Sequence, residues 1–324
     1  MMRRRFLRET TCVLGGAMAL SNLSGCLRAE PPLCVAITPW LGYETLNLAR
    51  ELGYIQEPDI RLVEFPSNTV SLMALANHEV PLATLTLDEF LLAREGGLDL
   101  RVVLVFDESM GGDAVIARPG INSLADIKGK RIGVESTATG ALMMAKLLEA
   151  AHLQPADVVK VEMTVDQHVA AYAAGKVDVL VTFEPVLSRL KAQGAKLLLD
   201  SRQYPGLIVD VLVARADALT QSDGHVRTLM QAYFKALSYW DAHQDQSAAL
   251  VAPRLQLQTV EVMQAMKGMH MMSLSDNRVW LSGAQPRLLE SVRTVGEMAV
   301  RARLLKTAPS PANVIDARFL EGLA

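Results

Sequence analysis

The 324-residue chain carries 32 Lys and Arg against 35 Asp and Glu, with three Cys and six His. A balance this close to neutral excludes the broad basic face that nucleic-acid phosphates require. The Cys and His form no cluster and no His-x-x-x-His pair, so the sequence offers neither a zinc site nor a disulfide framework. Half of the residues are apolar and only 5% aromatic, which suits an α/β protein rich in Ala, Val and Leu.

The chain opens Met1-Met2-Arg3-Arg4-Arg5-Phe6-Leu7-Arg8, continues through an apolar, small-residue stretch over 12–23, and reaches Leu23-Ser24-Gly25-Cys26. That stretch is too short to cross a bilayer, which takes ~20 residues, but has the form of an export signal. Its last four residues resemble a bacterial lipobox. The resemblance implies that 1–25 is a signal peptide, that Cys26 is lipidated, and that 26–32 is a tether to a membrane. Arg3-Arg4-Arg5-Phe6-Leu7-Arg8 also resembles the twin-arginine export motif; that route and general secretion both stay open. Processing would leave 28 Lys and Arg against 34 Asp and Glu, a mildly acidic chain with Cys34 as its unpaired thiol.

From residue 33 onward, short apolar runs alternate with helical patterns. Strands are expected over 35–37, 60–65, 82–85 and 101–106, and helices over 43–52, 70–77 and 88–94, where apolar residues recur every three or four positions. Strand–helix alternation implies parallel pairing and βαβ units. The pattern then starts again: strands over 131–134, 158–163, 179–182 and 195–199, and helices over 141–151, 169–174 and 185–193. The two series are offset by 97 or 98 residues. Val35 maps to Ile132, and Leu62-Val63-Glu64-Phe65 to Lys160-Val161-Glu162-Met163. Asp113-Ala114-Val115-Ile116-Ala117-Arg118 maps to Asp210-Val211-Leu212-Val213-Ala214-Arg215, again 97 apart. These two strands flank the second series, where crossovers between two lobes belong. Long helical patterns follow over 226–244, 247–254, 259–269 and 287–304, with a weak helix near 312–323.

Three motifs resemble a known family. They are Ala49-Arg50-Glu51-Leu52-Gly53-Tyr54; the run from Gly120-Ile121-Asn122-Ser123 through Asp126-Ile127-Lys128-Gly129-Lys130-Arg131-Ile132-Gly133-Val134; and Ala174-Gly175-Lys176-Val177-Asp178 with Glu184-Pro185. Over roughly 33–300 the chain resembles solute-binding proteins of the nitrate/sulfonate/taurine class of ABC importers. Relatives of that class include riboflavin and thiamine-pyrimidine receptors and a pyrimidine-precursor synthase. The resemblance implies an α/β, two-lobed type II periplasmic-binding-protein fold. Each lobe is a mainly parallel sheet flanked by helices, and two crossover strands hinge the pair. Lobe one is expected over 33–114 plus 213–305, lobe two over 115–212, and a C-terminal tail over 306–324.

In parallel α/β sheets, ligands sit beyond the carboxyl ends of the strands, near helix N-termini. That rule selects Thr38, Trp40, Tyr43, Ser67, Asn68, Thr86, Asp88, Asp107, Asp113, Ser136, Thr137, Thr139, Glu184 and Asp210 as ligand-binding candidates. Trp40 is expected as a stacking wall, although packing into the core is the plainer alternative. The hydroxyls of Ser136, Thr137 and Thr139 could equally cap a helix, and so could Asp88. Acids with aromatics, and no Lys or Arg, suit a solute bearing amines, amidines or ring N–H groups.

No phosphate loop and no Gly-x-Ser-x-Gly elbow occurs in the sequence, and no cofactor is expected. The Met-rich run 266–272 reads as core filling in preference to copper ligands. The expected function is therefore non-enzymatic: a monomeric extracytoplasmic lipoprotein that delivers a small nitrogen- or sulfur-containing solute to the permease and ATPase of an ABC importer. A ligand-sensing lipoprotein that reports to a membrane partner is the alternative. A pyrimidine-synthase-like enzyme is a weaker one, since that family's Cys-rich, His-containing signature is not seen.

Overall fold

The computed structural model of the protein describes residues 31–135 and 137–323. The expected signal peptide, Cys26 and Ser136 lie outside the described residues. The first series forms β1 (Leu33–Ile37), α1 (Glu44–Glu51), β2 (Ile60–Glu64), α2 (Asn68–Ala76), β3 (Leu82–Thr86), α3 (Leu87–Glu95) and β4 (Leu100–Ser109). The second forms β5 (Asp113–Ala117), β6 (Arg131–Val134), α4 (Ala138–Ala150), β7 (Val159–Glu162), α5 (Val165–Ala173), β8 (Val179–Phe183), α6 (Val186–Ala192) and β9 (Lys196–Asp200). Then come β10 (Val209–Arg215), α7 (Ala216–Gln221), α8 (Asp223–Ala242), α9 (Gln244–Leu255), α10 (Thr259–Met266), β11 (Met269–Met271), α11 (Leu274–Leu281) and α12 (Arg287–Arg301).

Two sheets result, ordered β11-β4-β10-β3-β1-β2 and β7-β6-β8-β5-β9. In the first, β1 to β4 run one way, and β10 lies antiparallel between β3 and β4. In the second, β6 to β9 run one way, and β5 lies antiparallel between β8 and β5's other neighbour, β9. Each odd strand arrives from the other series, so β5 and β10 interlock the two lobes. The repeat extends to the register. Val35 pairs with Leu82 as Ile132 pairs with Val179, and Asp210 faces Thr86 as Asp113 faces Phe183. All four correspondences differ by 97 residues.

β5 is buried on both faces, which is why it reads as an unbroken apolar run. Ala114 and Ile116 join the smaller core of lobe two, while Val115 and Ala117 face the main core. The helices α1, α8 and α9 pack onto one another, while α12 packs against α3 and α11 and reaches α4. α12 buries Leu288, Val292, Val295 and Ala299, a stripe at helical spacing.

Three features depart from the sequence reading. The expected helix over 259–269 stops at Met266, and Met269–Met271 instead extends the outer edge of β4. Gly268 permits that turn, because a Cβ there would meet the Gly112 backbone nitrogen at 3.0 Å. The tail over 312–323 forms no helix beyond a single 3-10 turn at Arg318–Leu320. Ile315 bridges to Val102, and Phe319 and Leu320 are buried, while Pro309 and Pro311 bar a helix upstream. Finally, α11 was not expected, because Ser, Asp and Asn obscure its start. Ser273 caps it, accepting from the Asp276 backbone nitrogen at 3.2 Å and giving its own N–H to Asp276 Oδ2 at 3.0 Å.

Candidate functional site

The carboxyl ends of the strands of both sheets meet around one cavity of about 460 Å³. Lobe one contributes Thr38, Pro39, Trp40 and Tyr43 after β1, Pro66, Ser67 and Asn68 after β2, Thr86 and Glu89 at β3–α3, and Ile208 and Asp210 at β10. Lobe two contributes Asp113 at the start of β5, Glu135, Thr137 and Thr139 after β6, Val165, and Phe183 at the end of β8.

Ten of the fourteen candidate positions thus line the cavity, and Ser136 is outside the described residues. The other three are buried elsewhere. Glu184 turns back on α6, accepting from Ser188 N at 3.0 Å and Ser188 Oγ at 2.9 Å, so it caps that helix. Asp88 sits beneath the cleft and accepts from Thr139 Oγ1 at 3.0 Å. Asp107 lies behind the wall and accepts from Trp40 Nε1 at 3.3 Å, which orients the indole. Gly42 makes room for Asp107: a Cβ there would stand 1.8 Å from Asp107 Oδ2.

Glu89 and Glu135 line the cavity although the sequence reading did not select them; Phe183, which lies at a strand end that the reading did pick out, lines it too. The internal repeat was a usable signal for Glu135 and Phe183. Adding 97 to Thr38 gives Glu135, and adding 97 to Thr86 gives Phe183; Trp40 with Thr137 and Asp113 with Asp210 are further such pairs. Glu89 is different. It lies in the first turn of α3, where its carboxylate accepts from the Thr86 backbone N–H at 3.1 Å and from Asn68 Nδ2 at 2.7 Å. Asn68 in turn accepts from Thr38 Oγ1 at 2.6 Å, so three strand ends are tied together.

The lobes touch across the cleft. The hydroxyls of Thr86 and Thr139 lie 2.8 Å apart, and the Trp40 and Phe183 rings meet edge to face at 5.8 Å between centroids. The two chain crossings run side by side behind the cavity. The Ser109 and Ser201 hydroxyls are 2.9 Å apart, and Ser201 Oγ also accepts from the Gly111 N–H at 2.7 Å.

Acidic groups dominate the site electrostatics. Burial pushes the Asp107 and Glu89 carboxyls up to about 8, helped by repulsion from Asp113 on the first and Asp88 on the second. Burial likewise lifts Asp113 and Glu135 to about 7, with Asp88 and Glu184 acting on the first and Asp166 on the second. Asp210 is raised well above the usual range by burial and by Asp107, although the Tyr43 hydroxyl donates to it. No Lys, Arg or His lines the cavity among the described residues. The set of hydroxyls, carboxyls and rings can hold N–H donors and flat apolar groups.

The NMT1/THI5 like family model matches residues 44–247, from α1 into α9. A putative binding protein of Brucella abortus is 26% identical over 149 residues, covering 45% of this chain and 47% of that one. The taurine-binding periplasmic protein of Escherichia coli is 26% identical over 157 residues, covering 48% and 49%. The chain therefore spans about half the length of these curated relatives. The structure of the alkanesulfonate-binding protein of Xanthomonas axonopodis pv. citri bound to MOPS superposes with a TM-score of 0.74 at 20% identity, covering 89% of this chain and all of that one. That likeness is one of fold: the same two lobes around a cleft. Since the family match covers well over half of the sequence and takes in the whole of lobe two, the chain belongs to the NMT1/THI5 like family.

Proposed function

We propose that the protein is the solute-binding component of an ABC importer. It takes a small nitrogen- or sulfur-containing organic solute between its lobes, closes over it, and presents it to a permease driven by an ATPase. A lipid on Cys26 holds it at the membrane it serves. One observation carries this reading: a cleft with about 460 Å³ of empty space, part of it open to solvent, is walled by both lobes, which are joined by two adjacent chain crossings. Such a construction favours hinge closure around a ligand. Thr139 supports it further, since it belongs to lobe two and bonds to Thr86 and Asp88 of lobe one. The relatives named as taurine- and alkanesulfonate-binding proteins point the same way. Among the described residues no Cys or Lys lines the cavity, so nothing there suggests covalent catalysis through a thiol or an amine.

The test is a thermal-shift screen of the full chain in detergent against sulfonates, nitrate, pyrimidines, flavins and amines. A true solute at 100 times its Kd stabilises by about 2.7 kcal/mol. Trp40→Ala, which removes the indole wall, is expected to abolish that shift. No shift from any class rejects the receptor reading.

A further inference from the structure

We propose that the solute is an organic cation, and that Asp113 and Glu135 hold its protonated amine or amidine. The proposal rests on the receptor reading above and assigns the charge of the solute and the subsite that reads it. A smaller pocket of about 250 Å³ opens off the main cavity inside lobe two. The two share Asp113, Glu135, Thr137, Thr139 and Phe183, and the pocket ends against Met143 and Val181.

Asp113 and Glu135 are only 4% and 5% exposed, yet Asp113 Oδ2 and Glu135 Oε1 have no hydrogen-bond partner. A carboxylate taken out of water without a partner is costly, and folds retain one where a ligand completes it. Orphan oxygens on Asp107 and Asp210 have an internal explanation. Their other oxygens accept from Trp40 Nε1 and the Tyr43 hydroxyl, and burial and the charge of Asp107 hold the Asp210 carboxyl up towards its protonated form. Asp113 is eased from one side only, by Ser109, and no hydrogen bond eases Glu135, so Asp113 Oδ2 and Glu135 Oε1 stay unmatched. Among the described residues both pockets lack Lys, Arg and His, so the countercharge has to come with the solute.

The walls indicate an organic cation over a metal ion. Among the described residues no three His, Cys, Asp or Glu converge as metal ligands. Trp40, Tyr43, Val165, Phe183 and Ile208 provide an apolar bed for a carbon skeleton beside the acids. A sulfonate in this pocket would meet carboxylates and no cation.

The charges around the subsite fix the sign of its pH dependence. Asp88 from α3, Asp107 from β4, Glu184 after β8 and Asp210 from β10 face Asp113, while Asp166 from α5 and Glu89 from α3 face Glu135. All are acids, and both subsite carboxyls are held up near 7. A bound cation draws them into the ionised form and releases protons, so affinity for a cation falls as pH drops from 8 to 6.

The experiment measures thermal shifts and titration calorimetry of the full chain with two charge series of matched skeleton. One is benzamidine, benzamide and benzenesulfonate; the other is butylamine, butanamide and butanesulfonate. A shift confined to the cations at pH 8 and weakened at pH 6 is expected. Asp113→Asn and Glu135→Gln should each weaken cation binding roughly 10- to 100-fold, the cost of one charged hydrogen bond. Both variants should keep or raise the unliganded Tm at pH 8, because each removes a buried charge. A fall in that Tm for both would mean that the fold already partners these carboxylates, and overturns the proposal. So does an amide or sulfonate that shifts Tm as much as its cation, or silence from all six probes. In those cases the receptor reading is judged separately, by the broader screen.

Discussion

Single carboxyl groups govern how this protein should respond to pH. Asp107 and Glu89 are held up near 8, and Asp113 and Glu135 near 7, chiefly by burial. A carboxyl whose folded-state pKa exceeds its unfolded value binds its proton more tightly when folded. Its contribution to stability is full at low pH and is lost as pH rises through the folded pKa. His168 acts in the opposite sense, since burial lowers it from 6.5 to about 4, but its effect is complete by pH 6.5. Asp178 is held down to about 2 by Arg131 and matters only in strong acid. The unliganded protein should therefore lose stability steadily from pH 6.5 to 8.5, seen as a falling urea midpoint. A midpoint that rises over this window would mean that the acids are solvated or paired. Such a cluster lowers the stability of the empty protein, which is tolerable where a ligand later compensates.

At the scale of elements, the outer edge of β4 shows how the fold closes an exposed strand. Three different pieces cover it. β11 pairs with Asp107 to Ser109, Ile315 of the tail bridges to Val102, and between them Asn277 of α11 stands in for a strand. Its side chain accepts from Val105 N at 2.8 Å and donates to Val105 O at 2.9 Å, and it also reaches Met272 O at 3.2 Å. Unpaired edges invite association with other chains, so covering them matters. Asn277→Ala would leave the Val105 N–H and C=O buried without partners, and a loss of about 2–4 kcal/mol is expected in urea unfolding. A change below about 0.5 kcal/mol would mean that water replaces the amide. None of this was legible beforehand: 269–271 reads as a helix end and 274–281 carries no assigned element, because their partners lie more than 150 residues away in sequence. By contrast, β6 runs over the expected residues and β1, β3 and β8 extend theirs by one or two, since alternation and apolar runs are local signals.

For the molecule as a whole, the two sheets are copies of one design that exchange a strand. β10 enters the first sheet and β5 the second, each beside the last forward strand. The crossings at 110–112 and 201–208 lie together, joined by Ser109 and Ser201. Hinge motion concentrated there would open the cavity without breaking either sheet. Gly111 has φ +120°, a conformation that other residues rarely adopt. The same scale includes the expected tether. If Cys26 carries lipid, the wild-type chain should fractionate with membranes and Cys26→Ser should appear in the soluble exported fraction. An unchanged distribution of that variant would remove lipidation from the reading. The whole described region contains no helix long and apolar enough to cross a bilayer.

The sequence by itself determined what depends on neighbours along the chain. That includes the alternation of strands and helices, the 97-residue repeat, the export signal as an expectation, and the strand ends from which a site must be built. It also put acids and aromatics at those ends. Only the tertiary structure decided which acids serve the cavity. Asp113 and Asp210 face it from matched positions, Glu135 and Glu89 join them, and Glu184, Asp88 and Asp107 turn to a helix, a threonine and an indole. The physical reason is that a carboxyl's direction at a strand end is set by register and by whichever donor lies within reach. For Glu184 that donor is Ser188, four residues on, but for Asp88 and Asp107 it comes from the other lobe or a distant turn, which no local pattern in the chain encodes.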